Sequence, residues 1–387
     1  MTVLFVTNHV PPDRRGAFAE LHARVPIELA LFGGRSHHAT AGVEDPGVPH
    51  RHVEQRELFA LAAGGEYRAV VCGTAGRVAL PASYAGARRA GVPFVLWSAL
   101  WAQPRSPAHA AGALLLQRIY ADADAVVAYG PHVAAHARRR GARRVFTAPQ
   151  AVDQEFWTQP GGAMAQPGRA ASRANDDATR TADGSCPPGE ATDGVSGSAG
   201  RSSPPGAGTT TFLFVGRPAP GKGVDELLAA WSAAGLAQQA RLVLVGVEPD
   251  VRRSEGVSTH PPAEAAVLRN FYAAADVLVV PSVPTRTFRE PWGLVCNEAM
   301  HQGLPIIATD AVGAAAGGLV RHERNGLVVA AHDPGALAGA LRRLHEEPSL
   351  RRRMGTQGRR DAAAFSFEAW ADGMAAALEP DRSRRMS

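Results

Sequence analysis

Short apolar runs alternate with longer stretches in which apolar residues recur at helical spacing, and this rhythm fills most of the chain. In the first part the runs fall at residues 3–7, 27–32, 68–72, 93–97, 125–128 and 145–147, with helical patterns at 77–89, 110–121 and 132–140. In the second part runs at 212–215, 242–245, 277–280, 305–308 and 326–329 alternate with helical patterns near 224–234, 263–275, 294–302 and 334–345. Strands that alternate with helices predict parallel sheets covered by helices on both faces. Two such sets predict two doubly wound α/β domains facing a cleft.

Between the sets, from about Gly161 to Thr210, the chain turns to Gly, Ser, Pro, Ala, Asp and Thr with almost no aromatic or branched apolar residue. Such a composition cannot bury enough surface to offset the cost of ordering the chain, so a disordered linker is expected at 159–210. It would separate a Rossmann-like domain at 1–158 from a second at 211–362. Residues 363–379 read as an amphipathic helix with Ser366 as N-cap, able to pack back on the first domain.

The chain has 387 residues, too many for one ordinary core, with 45% hydrophobic and 20% charged residues as in soluble globular proteins. Its net charge of +5 suits an anionic ligand or membrane surface, although a general preference for arginine gives the same value. Cys72, Cys186 and Cys296 form no close pair, so neither a disulfide framework nor a zinc site is indicated and a reducing compartment is expected. No apolar run is long enough to span a bilayer, and Met1-Thr-Val-Leu-Phe-Val6 lacks the basic lead of a signal peptide. The expectation is a cytoplasmic protein, peripheral at the inner membrane face at most, with no nucleic-acid partner. The run Arg138-Arg-Arg-Gly-Ala-Arg-Arg144 is either a solvated helix end or a weak docking patch for anionic lipid.

Composition matters most at one place. Of the 41 lysines and arginines a single one is lysine, Lys222, in Gly216-Arg217-Pro-Ala-Pro-Gly-Lys-Gly223 directly after an apolar run. A compact ammonium on a flexible stem suits phosphate oxygens where a rigid guanidinium fork does not. The second informative segment runs from Arg289 to Asp310. There Glu290-Pro-Trp-Gly leads into a helical pattern that holds Glu298, and the amides of Gly293, Leu294 and Val295 would head that helix, open to an anion such as a diphosphate. Glu298, about one turn inside, has the reach to accept both hydrogens of a vicinal diol such as a ribose. Without a ligand, the two glutamates would be no more than a dipole complement and a solvated helix face.

With these motifs the sequence resembles the retaining glycosyltransferases of family 4, whose architecture is the two-Rossmann GT-B fold. The resemblance rests on Gly216-Arg217 with Lys222-Gly223, on Glu290-x7-Glu298, on Gly303-Leu-Pro-Ile-Ile-Ala-Thr and on Ala274-Ala-Asp-Val-Leu-Val-Val-Pro-Ser282. It implies transfer of a sugar, a hexose by analogy, from a nucleoside diphosphate sugar to an acceptor hydroxyl with no catalytic metal or other cofactor. The acceptor class stays open among polysaccharide, lipid-linked and small-molecule hydroxyls. It further implies that Arg217 and Lys222 clamp the diphosphate, that Glu290 contacts the donor sugar, that Glu298 holds the ribose, and that Gly16, Gly216, Gly293, Leu294 and Val295 line the donor site.

The sequence departs from the family in two places. Only Gly16 remains of the glycine pair expected after the first strand, and Trp97-Ser-Ala-Leu-Trp101 stands where a histidine is usual. His9 and His109 are substitutes for that histidine by type, though a structural role is the simpler reading of each, and packing is the simpler reading of Trp97 and Trp101. Gly216-x4-Gly221-Lys222 imitates a P-loop, but Gly223 replaces the hydroxyl residue that would hold magnesium, and Pro218 and Pro220 remove cradle amides. A nucleotide-sugar epimerase on the same fold and a catalytically silent sugar-nucleotide binder are the remaining alternatives. A pyridoxal enzyme built on the sole lysine lacks a phosphate cup and a pyridine partner.

Overall fold

The computed structural model describes residues 1–33, 45–76, 78–103, 105–162, 209–248 and 254–380. The first sheet contains β1 (Val3–Thr7), β2 (Ile27–Leu31), β3 (His50–His52), β4 (Ala69–Gly73), β5 (Phe94–Ser98), β6 (Ala125–Ala128) and β7 (Val145–Thr147), all parallel, in the order β3-β2-β1-β4-β5-β6-β7. The second contains β8 (Thr210–Val215), β9 (Ala240–Val245), β10 (Val257–His260), β11 (Val277–Val280), β12 (Ile306–Thr309) and β13 (Gly326–Val329), in the order β10-β9-β8-β11-β12-β13. Both place their first strand in the interior with the order reversing beside it, the topology of a doubly wound domain. β1 lies between β2 and β4 with Val3 opposite both Ile27 and Ala69, and β8 lies between β9 and β11.

Alternation along each strand divides the cores. In β1, Val3 and Phe5 pack with the helices Arg15–Arg24 and Phe367–Leu378, whereas Leu4 and Val6 face the side formed by the helices Leu58–Ala63, Ala79–Ala90, Pro107–Asp122 and Pro131–Arg139. In the second domain the helices Val224–Ala234 and Pro334–Glu346 cover one face, and Ala265–Ala274 and Val295–His301 the other.

The chain passes between the domains twice. Val152 and Trp157 already pack in the second core, and the amide of Gly162 donates to Asn270 Oδ1 at 2.7 Å. Packing therefore changes partners ahead of the compositional boundary at 158. Of the expected linker 159–210, residues 163–208 lie outside the described residues. The return is made by the helix Phe367–Leu378, where Ser366 Oγ caps the Ala369 amide at 3.2 Å. Its Trp370 is fully buried against Phe18 and Trp97.

Candidate functional site

The turn after β8 carries Lys222 between two glycines whose conformations few other residues adopt. Gly221 has φ 91° and Gly223 φ 71°, and a Cβ on Gly223 would stand 1.9 Å from the carbonyl oxygen of Pro281. The turn thus lies directly on the loop that follows β11. Val283 closes the contact by donating to Gly221 O at 2.9 Å. From there Lys222 Nζ reaches Glu290 Oε2 at 2.5 Å, and Ser282 Oγ lies 3.4 Å from the same oxygen. The Glu290 side chain is 8% exposed and that of Lys222 30%. A carboxylate so deeply placed needs a counter-charge, and this lysine supplies it. The two residues that the sequence assigns to diphosphate and sugar are therefore bonded to each other. Arg217 is exposed on the same turn, and Gly216 packs against the ring of Phe214.

Backbone contacts hold Glu290 in place. Its carbonyl accepts the Gly313 amide at 3.1 Å and, from the first domain, Trp101 Nε1 at 3.1 Å. His132 Nε2 donates to Pro291 O at 3.2 Å, and its ring stacks on Trp292 at 6.1 Å. Burial holds the His132 pKa below the usual histidine range, with Arg289 adding to the shift and the Pro291 carbonyl opposing it. The Arg289 guanidinium lies over Trp101 at 3.7 Å. Gly313 admits no side chain, since a Cβ there would be 1.9 Å from Pro291 O.

Gly293, at φ 92°, turns the chain into the helix Val295–His301, where Cys296 donates back to Gly293 O at 3.0 Å. The amides of Gly293, Leu294 and Val295 head this helix. Asn297 fixes its start from inside, accepting Trp292 Nε1 at 2.8 Å and donating to Gln150 O at 3.0 Å. Gln150 in turn accepts from Arg14, in the short turn that follows β1. Glu298 accepts the Tyr272 hydroxyl at 2.6 Å. Burial raises its pKa to about 7, the charge of nearby Asp13 adds to the rise and the Tyr272 hydrogen bond opposes it. The turn at 12–14 of the first domain and the start of the helix at 295 thus face each other across the cleft.

Six of the residues read from sequence meet here: Lys222 and Glu290 in contact, with Gly293, Leu294 and Val295 leading to Glu298. Gly16 has a different neighbour. It lies in the first turn of the helix Arg15–Arg24, and a Cβ on it would stand 2.3 Å from the Phe367 ring, so its bareness serves the packing of the C-terminal helix. Trp97 is a core residue, among Phe5, Phe18, Tyr129 and Trp370. Ser98, at the strand end where a histidine was expected, bonds inward to Tyr120 at 2.6 Å. His109 bonds Ser106 at the exposed start of its helix, and His9 follows β1 with its amide on Asn8 Oδ1 at 2.9 Å. His132, Gln150, Tyr272 and Gly313 were not read from the sequence. Only His132 left a signal there, in Gly130-Pro131-His132 directly after an apolar run. Among the described residues no three His, Cys, Asp or Glu side chains converge as metal ligands would.

Residues 209–347 match the family model described as Glycosyl transferases group 1. Over 194 residues the chain is 36% identical to a D-inositol 3-phosphate glycosyltransferase of Thermobifida fusca, covering 44% of this chain and 42% of that protein. Over 160 residues it is 34% identical to a protein of the same name from Streptomyces avermitilis, covering 40% and 32%. The chain thus spans less than half the length of these curated relatives. Solved structures align over nearly all of both chains. A sucrose-phosphate synthase of Thermosynechococcus elongatus has a TM-score of 0.67 at 21% identity over 100% of this chain and 99% of that one. Anabaena HepE, solved with UDP and glucose, has 0.67 at 16% identity over 98% and 99%. The chain shares with them the GT-B arrangement of two Rossmann-like domains, and its second domain carries the segment similar to group 1 glycosyl transferases.

Proposed function

We propose that the protein is a retaining glycosyltransferase of family 4 that moves a sugar, a hexose by analogy, from a nucleoside diphosphate sugar to an acceptor hydroxyl. The observation that carries this reading is the Lys222–Glu290 pair set beside the amides of Gly293, Leu294 and Val295, with the Glu298 carboxylate one turn further on. Cation, amides and carboxylate follow in the order a diphosphate and its ribose require. Anabaena HepE, which has the same fold, has been solved with UDP-glucose.

Cleaving a glycosyl–phosphate bond builds negative charge on the departing diphosphate. Groups fixed in advance around that charge act on the transition state more than on the bound substrate. In this reading Arg217 and Lys222 take up the diphosphate oxygens, and Lys222 exchanges part of its bond to Glu290 for them. Glu290, relieved of its partner and held by Trp101 through its own carbonyl and by His132 through that of Pro291, turns its carboxylate to the sugar hydroxyls. Glu298 in its ionised form accepts the ribose hydroxyls in place of the Tyr272 hydrogen. The acceptor hydroxyl attacks on the face from which the diphosphate leaves, and a diphosphate oxygen takes its proton. No step calls on a metal ion.

The test is calorimetry against a panel of nucleoside diphosphates, followed by an assay for release of free sugar from the matching nucleotide sugar. One nucleoside diphosphate should bind well above the others, and its sugar should be hydrolysed slowly in the absence of acceptor. Absence of binding by every member of the panel would overturn the reading.

A further inference from the structure

The outer face of a surface helix is normally polar. The helix Pro107–Asp122 is different: its exposed positions Pro107, Ala110, Ala111, Leu114, Leu115, Arg118, Ala121 and Asp122 fall on one stripe whose two charges, Arg118 and Asp122, lie in its last turns, with His109, Gly112 and Gln117 exposed beside it. Leu114 is 81% exposed and Leu115 45%. The helix Pro348–Ala362 keeps the rule, presenting Arg352, Arg353, Thr356, Arg359 and Arg360 to water. Among the described residues six large apolar side chains are strongly exposed. Four of them, Phe59, Val78, Leu114 and Leu115, belong to the same side of the first sheet.

The acidic residues Glu54, Glu57 and Glu66 of that side cluster about the helix Leu58–Ala63, and around the helix Pro107–Asp122 the charge is mostly positive. Residues 67–152, which hold the helices Ala79–Ala90, Pro107–Asp122 and Pro131–Arg139, contain eleven arginines and two acidic residues, Asp122 and Asp124. Both aspartates bond to Arg88 at 2.9 Å, which leaves the surrounding arginines unopposed. Arg105 precedes the helix, Arg118 shares its face with Leu114, and Arg138, Arg139 and Arg143 are exposed at and beyond the end of the adjacent helix Pro131–Arg139. A second copy seated on the same helix would bring the same arginines against these, with only the two aspartates already paired to Arg88 to meet them.

We propose that this face docks on an anionic lipid surface, with Leu114 and Leu115 in the apolar boundary and the flanking arginines on the headgroup phosphates. A cavity of about 470 Å³ begins at the first turns of the same helix, among Arg105, Pro107, Ala110 and Arg286, and Arg286 lies on the loop that leads to Glu290. Docking therefore turns the mouth of the cleft toward the lipid and favours an acceptor with an apolar anchor. The docking itself is independent of the donor reading; the acceptor class rests on it.

Co-sedimentation with vesicles tests the proposal. The chain should pellet with phosphatidylcholine vesicles containing phosphatidylglycerol and stay in solution with phosphatidylcholine alone, and salt should release it. Leu114→Asp combined with Leu115→Asp should lower partitioning about tenfold or more, and Arg118→Ala about fivefold. Both leucines are exposed, so the double variant should keep its melting temperature and its nucleoside diphosphate affinity, which separates lost docking from a failed fold or a failed donor site. Equal pelleting of wild type and double variant overturns the proposal, as does absence of pelleting with anionic vesicles. A solution dimer that the double variant dissolves also overturns it, since the face would then have a protein partner.

Discussion

The turns after β1 and after β8 hold the same place in two sheets of the same strand order, yet they are built differently. The turn after β8 opens on Gly221 and Gly223 in left-handed conformations and brings a lysine to a buried glutamate. The turn after β1 runs through Pro11 and Pro12 into a helix, and its one glycine, Gly16, is covered by Phe367. A shared topology supplies two equivalent positions at the cleft; the local chemistry gives a lysine–glutamate pair to one and aromatic packing to the other. Under the proposed function, the strand order locates a site, and glycine with its charged neighbour determines which copy takes the donor.

The largest test of that asymmetry is Lys222→Ala, which should lower sugar transfer by about 10²-fold or more. Because it also strands the carboxylate of Glu290, melting should be followed alongside, and Lys222→Ala with Glu290→Gln should recover stability without recovering activity. Lys222→Arg restores the charge but not the compact ammonium, so near-wild-type turnover in that variant would refute a role specific to lysine.

The glycines come next. Gly223→Ala meets a backbone carbonyl and a left-handed conformation at once and should cost about 2–3 kcal/mol in a denaturant titration. Gly16→Ala meets only the edge of a phenyl ring, which can turn, and should cost about 1 kcal/mol. An equal loss at the two positions would show that the turn after β1 is as tightly built as its counterpart.

The smallest effect is in pH. Glu298 titrates near 7 and the proposed ribose contact needs its ionised form, so nucleoside diphosphate affinity should fall as pH drops through about 7, by at most about tenfold per unit. Glu298→Gln should bind more weakly at high pH and lose this component of the slope. The phosphate of the ligand titrates identically with both proteins, so parallel slopes would remove Glu298 from the binding reaction.

What could be read from the sequence followed from how local the signal was. The interior strands declared themselves as apolar runs because both their faces are buried, as in Val277-Leu-Val-Val280. The edge strands β3, His50-Arg-His52, and β10, Val257-Ser-Thr-His260, carry polar residues and were missed. The helix Arg15–Arg24 was not among the helical patterns, since Gly16 stands where a glycine-rich turn was expected, and Pro348–Ala362 was hidden by its arginines. At the site, Lys222, Glu290 and Glu298 stood out because unusual residue types adjoin turn signals. The bonds of Trp101 to Glu290 and of Asn297 to Gln150 join residues 189 and 147 positions apart, and no periodicity reports such pairs.

The helix Phe367–Leu378 has a consequence for the order in which the molecule is made. The strands of the first sheet leave the ribosome early, but Trp370, which completes the aromatic cluster of Phe18 and Trp97, leaves it after the whole second domain. Until then the cluster's face of the first sheet is covered by the helix Arg15–Arg24 alone, and the domain is able to collapse but not to close. A nascent chain stalled short of residue 367 should therefore need a chaperone for its amino-terminal half, although every strand of that half is already present.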